Sequence, residues 1–511
     1  MNPGESGRRV LQLAALFGLI AAAVLVKSFL DSEGYLFDDS TQYMKLSRSL
    51  LEGRGVVTTP CNYESDLPRI YFAVWPVGYP VMIAAVSKLT GASVFLGSKF
   101  ANLLCVALLL LLFGRYFGRA AVACAIVLLF APFLEIFTFT MSEAPFILGL
   151  VWFCVTLHEL IRRPDGIHFT GVTAAAFLVF LFRYIGAFSF GICLLLAGWN
   201  LYQRRLRTAG WLAASGLAGG LMAGLYLAHN AAMTGFPTGL MRAPSFFSLG
   251  ARCSALVRSL VFLVNPMTLE PMAGITRLHA LHYVASAVLL ILMALYFRFR
   301  TRAEWRPMSQ PWDPLSRILA LTGCVSWAAV IVMHGTAQID LFSYRLFAPG
   351  GLLFLLAAVR RIEHSQSPRV FGRFSQCLLA VALVAYLWQG PLKLIKHRVF
   401  DGKPTYLETL AALDSRYRRV PAGSAVIAGS SHLNYLRPDL RILFPYNGPR
   451  RKGGAIVFDT ETLDQLIARS GAMPYAHVYL DVREVLLNPT RLHDSFASFA
   501  KGSNLDVMLI R

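Results

Sequence analysis

The sequence predicts an all-α polytopic membrane domain of about eleven transmembrane helices over residues 1–400, followed by a small α/β domain over 401–511. Three observations predict it. Hydrophobic residues make up 56% of the 511 and charged ones only 15%. Apolar stretches recur near the length that crosses hydrocarbon. Short arginine clusters separate them, and every cluster can be placed on one side of the membrane. The net charge of +20 is therefore the positive-inside pattern. A soluble basic face for nucleic acid is excluded.

Helix one is expected over residues 10–30, running outward from Arg8-Arg9, with Lys27 snorkelling to the interface. It is too long for a signal peptide and lacks a small-residue cleavage site. The first outer loop, 31–92, holds two helices too short to span, 40–51 and 77–89, expected to lie at the membrane surface. Spans follow at 94–113, 120–137 and 145–161. The stretch between Arg162-Arg163 and the cluster Arg204, Arg205 and Arg207 must cross twice, because both basic clusters need the same side. The turn between these two short spans falls at Arg183-Tyr184. Further spans are expected at 210–229, 278–297, 318–333, 346–359 and 377–389. In the first of these, Gly216, Gly220 and Gly224 form a repeated GxxxG and predict a packing face. This threading leaves the N-terminus cytoplasmic and residues 401–511 extracytoplasmic, with a bacterial inner membrane the expected location.

The cysteines show no CxxC pair or metal-ligand spacing. Cys105, Cys124, Cys154 and Cys193 lie in apolar runs and are read as core residues. Cys61 and Cys253 share the outer side, where a disulfide is allowed.

Charges at a membrane boundary are costly and therefore point to function. Asp38 and Asp39 open an amphipathic helix whose N-cap would be Asp39 or Ser40. Trp75 to Pro80, with Tyr79, opens the second short helix and reads as an interfacial anchor. Glu143 stands in a tight outer turn before Pro145. His229-Asn230 close the span over 210–229, Asn being an ordinary cap. Lys99, Arg183 and Arg345 are outward cations set against otherwise inward-biased arginines. They suit an anionic ligand such as a lipid phosphate.

Taken in order, these segments resemble the GT-C superfamily, in particular its protein O-mannosyltransferase and lipid A aminoarabinose transferase branch. The resemblance rests on Phe37-Asp38-Asp39-Ser40 through Gly53-Arg54-Gly55, Trp75 to Pro80, Ser142-Glu143-Ala144-Pro145, Arg183-Tyr184-Ile185-Gly186, Gly235-Phe236-Pro237 and Tyr344-Arg345-Leu346-Phe347-Ala348-Pro349. The chain departs from the pattern where Asp39 stands for a frequent glutamate and Lys99 for a frequent arginine. The resemblance implies a GT-C fold and inverting transfer of a sugar from a polyprenyl-phosphate donor to a lipid, glycan or protein acceptor. Asp38 would be the general base and Asp39 its alternate or orienting partner. Arg183, Arg345 and Lys99 would bind phosphate. Glu143, Tyr79, Tyr184 and Tyr344 would help bind substrate. No cofactor is assigned, and a divalent cation positioned by Glu143 is left open. The alternatives are a transporter or flippase of lipid-linked sugars, an O-antigen ligase or polymerase, and a purely structural membrane protein.

Overall fold

A computed structural model of the chain describes residues 3–58, 70–239, 248–265, 311–336, 342–387, 398–427, 431–437 and 439–443. It also describes scattered positions within 284–304, residue 394, and the strands at 450–452, 455–457, 478–481 and 507–509. Seven helices among these residues are long and apolar enough to cross a membrane. They are α1 (Pro3–Leu30), α4 (Val94–Tyr116), α7 (Glu143–Arg162), α9 (Phe188–Tyr202) together with the 3-10 turn Tyr184–Ala187 that leads into it, α10 (Leu206–Thr234), α12 (Pro314–Thr336) and α14 (Pro368–Leu387). The shorter apolar α8 (Gly166–Phe182) runs beside α7, and α11 (Leu249–Val264) and α12 both pack on α13 (Tyr344–Ser365). The chain is an integral membrane protein. The span expected at 278–297 lies mostly outside the described residues.

Where a single span was expected over 120–137 there are two pieces. Helices α5 (Ala121–Val127) and α6 (Ala131–Thr138) meet at a bend of 76°. Pro132 in the first turn of α6 supplies the reason: proline has no N–H to continue the preceding helix and its fixed φ suits a new start. The packing face of α10 also differs from the GxxxG reading. Gly216 and Gly219 lie against Leu194 and Phe190, while Gly220 and Gly224 have open space around them.

Between α1 and α4 come α2 (Asp38–Leu51) and α3 (Gly78–Thr90). Helix α2 is covered on nearly every side, not open on one face. Tyr43, Met44, Leu46 and Ser47 are buried, and the Ser47 hydroxyl donates to the Pro80 carbonyl at 2.9 Å. Arg48 reaches residues far along the chain, donating to the Tyr435 carbonyl at 3.0 Å and lying over its ring. Tyr406 of α15 (Tyr406–Tyr417) packs on Phe95 with ring centroids 4.3 Å apart. Beyond α15 four of the described strands form one sheet, while Arg450–Lys452 and Ala455–Val457 pair antiparallel with each other. The sheet's strands β1 (Ala425–Ile427), β2 (Arg441–Leu443) and β3 (Val478–Asp481) are parallel, and β4 (Val507–Leu509) is antiparallel to β3.

Lys27 does not snorkel. It is 1% exposed, and its ammonium lies 2.7 Å from Oε1 of Glu135 on α6. A partner within reach inside the bundle removes the need to reach water. The four cysteines read as core residues are buried and free; Cys253 is exposed, and Cys61 lies outside the described residues.

Candidate active site

The predicted residues gather where the first turn of α2 meets the turn before α7. Phe37 is the N-cap position of α2, and its N–H donates to the Ser40 hydroxyl at 2.9 Å. Neither Asp39 nor Ser40 is therefore the N-cap residue that was expected; Asp38 and Asp39 sit one and two places inside the helix, at the positive end of its dipole. The Phe37 ring stacks on Phe139 at 4.5 Å. The Tyr43 hydroxyl donates to Ser142 at 3.3 Å. These contacts hold the first turn of α2 against the turn that precedes α7.

Glu143 opens α7 and is 1% exposed. Its Oε1 lies 2.7 Å from Nη1 of Arg183 and 3.7 Å from Nε of Arg345. The two guanidinium groups come from separate places, Arg183 from the break between α8 and α9 and Arg345 from the first turn of α13. Both remain partly open, with side-chain exposures of 23% and 17%. The Arg345 guanidinium also lies over the Phe37 ring at 5.0 Å. Asp39 is close enough to act electrostatically on Arg183 and on Tyr43. The side chain of Asp38 lies outside the described set. Burial pushes the Tyr43 phenol well above its ordinary pKa, with Asp39 adding to the rise. Tyr43 is thus a hydrogen-bond donor near the acids and not a base.

Close backbone contacts set the position of Arg183. A Cβ on Gly186 would fall 2.5 Å from the Val179 carbonyl oxygen, and one on Gly78 would fall 2.6 Å from that of Leu181. Only glycine lets these segments approach. Tyr184 donates its hydroxyl to the Ala73 carbonyl at 2.7 Å and accepts from Asn230 Nδ2 at 2.9 Å. Asn230 is buried inside α10, which runs on to Thr234 and ends at Gly235 with φ 81°. It is a brace for Tyr184, not the helix cap that was expected.

Two expected substrate residues sit away from open space. Lys99 is wholly buried, and its ammonium donates to the carbonyls of Thr138, Gly34 and Tyr35 at 2.8, 3.0 and 3.4 Å. Those three bonds use its three donors, so Lys99 leaves the set of phosphate-binding cations and ties residues 34–35 to α6. Tyr79 is also wholly buried; it donates to Asn102 at 2.9 Å and packs edge-on against Tyr43 at 5.4 Å. Tyr344 precedes Arg345 and is 8% exposed. Glu135 was missed by sequence reasoning, although an acid within Phe133–Phe137 was a readable signal.

Among the described residues no group of three or more metal-ligating side chains comes together. Among the described residues the Glu143 carboxylate is shared by Arg183 and Arg345.

No family model matches the chain, and no curated protein matches it by sequence. Solved structures do. The chain is similar to ArnT from Cupriavidus metallidurans in the apo state, with a TM-score of 0.56 at 13% identity over 95% of both chains. The same protein bound to undecaprenyl phosphate gives 0.54 at 13% identity, covering 96% of this chain and 95% of that one. The chain has a GT-C fold. The oligosaccharyltransferase AglB from Archaeoglobus fulgidus, in complex with an inhibitory peptide and a dolichol-phosphate, shares this GT-C architecture. It gives a TM-score of 0.51 at 12% identity, covering 98% of this chain and 72% of that one.

Proposed function

We propose that the chain is an integral membrane glycosyltransferase that moves a sugar from a polyprenyl-phosphate donor to an acceptor at the extracytoplasmic face, with inversion. One observation carries the reading: Arg183 and Arg345 converge on Glu143, with the Arg345 guanidinium over the Phe37 ring at the start of α2 and Asp39 acting on Arg183. Glu143 holds the two guanidiniums side by side and leaves part of each open. Such a pair suits a phosphate through charge-assisted, forked hydrogen bonds.

In the proposed reaction Asp38 takes the proton of an acceptor hydroxyl. The acceptor oxygen bonds to the anomeric carbon from the face opposite the phosphate. The bond from that carbon to the phosphate oxygen breaks, and its electron pair leaves on the lipid phosphate. Arg183 and Arg345 stabilise the growing negative charge where it develops. Asp39, in the field of Arg183, orients the base. Residues 401–511 form the extracytoplasmic domain that helps select the acceptor, consistent with the contacts of Tyr406 and Tyr435 near this end of the bundle. The ArnT and AglB structures that hold a polyprenyl phosphate support the donor class.

The test supplies vesicles containing the protein with a panel of polyprenyl-phosphate sugars and follows formation of a new glycosidic bond. Asp38→Asn is expected to abolish transfer while donor binding is largely kept. Wild-type transfer by that variant would overturn the assigned base. A carrier would move lipid-linked sugar across the vesicle without forming any such bond.

A further inference from the structure

The opposite ends of the same helices hold a second charged feature that the reaction does not use. A cavity of about 670 Å³ lies between the ends of α4 and α7, the start of α8 and the end of α13; Arg115, His158, Arg162, Arg163, His168 and Arg360 line it. Helix α7 carries Glu143 at one end and Arg162 at the other, so its rise separates this cavity from the acid–arginine cluster by about 28 Å.

Arg360 is the buried member, at 8% exposure. Its Nη2 donates to Asp313 at 2.9 Å and its Nη1 to the Tyr116 carbonyl at 3.2 Å. Its Nε is buried and, among the described residues, has no hydrogen-bond partner; the same holds for Nδ1 of His158. Arg115 and Arg163 are exposed and, among the described residues, pair with no acid. Glu159 is the one acid in the lining, 3.9 Å from Arg162. Positive-inside topology accounts for arginines at this end. It does not require a cavity, nor a buried guanidinium with a spare donor in its wall.

The surroundings favour a lipid over a soluble anion. Ile167 lines the cavity and is 83% exposed, and Leu111, one turn before Arg115 on α4, is 67% exposed. A ligand with its phosphate among the arginines would have apolar surface beside it for acyl chains. Basic pockets between membrane helices suit acidic headgroups for this reason. We propose that this cavity binds the phosphate headgroup of an anionic phospholipid, with Arg115 and Arg163 at the phosphate and Arg360 in the wall behind it. The site is independent of the transfer reaction.

The test takes the purified full chain, delipidated in a neutral detergent. It is titrated with phosphatidylglycerol, with phosphatidylcholine of the same chains, and with inorganic phosphate. Native mass spectrometry counts bound lipid, and thermal unfolding reports stabilisation. Phosphatidylglycerol is expected to stay bound and raise the unfolding temperature, while the other two do not. Combining Arg115→Gln with Arg163→Gln should weaken its binding about tenfold or more through lost charge-assisted contacts. Arg207→Gln, at an exposed arginine outside the cavity lining, should leave it unchanged. Both cavity substitutions are at exposed positions, and the unfolding temperature without lipid verifies that the fold is kept. Equal retention of both lipids, unchanged affinity in the paired variant, or displacement of the lipid by an equal concentration of inorganic phosphate would overturn the proposal.

Discussion

Glu143 and Arg183 form an ion pair of 2.7 Å in which the carboxylate side is 2% exposed and the guanidinium side 23%. The acid is committed to the protein interior while the cation keeps a free edge. Removing the acid alone leaves two arginines without their shared counter-charge. Glu143→Gln is therefore expected to cost about 3–5 kcal/mol of stability, the usual range for breaking a buried pair. Arg183→Gln should also destabilise, and the double variant should lose less than the sum of the two. A double-mutant cycle by thermal or denaturant unfolding in detergent measures this coupling. Additive losses would mean that the pair is not energetically linked.

Lys27 and Glu135 make the corresponding pair in the scaffold, 108 residues apart in sequence and both buried. Lys27→Met should destabilise the protein by about 3–5 kcal/mol, and Lys27→Met with Glu135→Leu should recover most of that loss. Unfolding midpoints check both statements. Affinity for polyprenyl phosphate in the double variant should stay near that of the wild type, since neither residue belongs to the arginine pair.

Gly186 follows Arg183 where the chain turns back against Val179. Gly186→Ala must push two backbone segments apart. Overpacking of this kind costs about 1–3 kcal/mol, and here the displaced segment carries Arg183. The expected result is a fall in donor affinity larger than the fall in stability alone predicts. Gly191→Ala, where a Cβ has open space around it, is the control and should change neither.

Much of the bundle was legible because its signals are local. Basic clusters at Arg115, Arg162-Arg163, Arg204-Arg205 and Arg360-Arg361 set the alternation of spans, and the need for two crossings between Arg163 and Arg204 located the turn at Arg183. The short motifs then named Glu143, Arg183 and Arg345, which the structure brings together. Pairings across the fold were not legible. Nothing near Lys27 in the chain indicates Glu135 as its partner, so the long side chain read as a snorkelling one. Lys99 failed for a related reason. Its place near the start of α4 was readable, but the carbonyls of Gly34, Tyr35 and Thr138 that occupy it come from two other segments. The break in the third span was readable at Pro132 and was passed over because the apolar run continues through it.

Binding of undecaprenyl phosphate to the purified chain tests most directly whether Arg183 and Arg345 hold the donor's phosphate. Arg183→Ala and Arg345→Ala should each weaken binding about tenfold or more, the loss of one charge-assisted contact, while Lys99→Met, if it folds, should not. Wild-type affinity in both arginine variants would contradict the account.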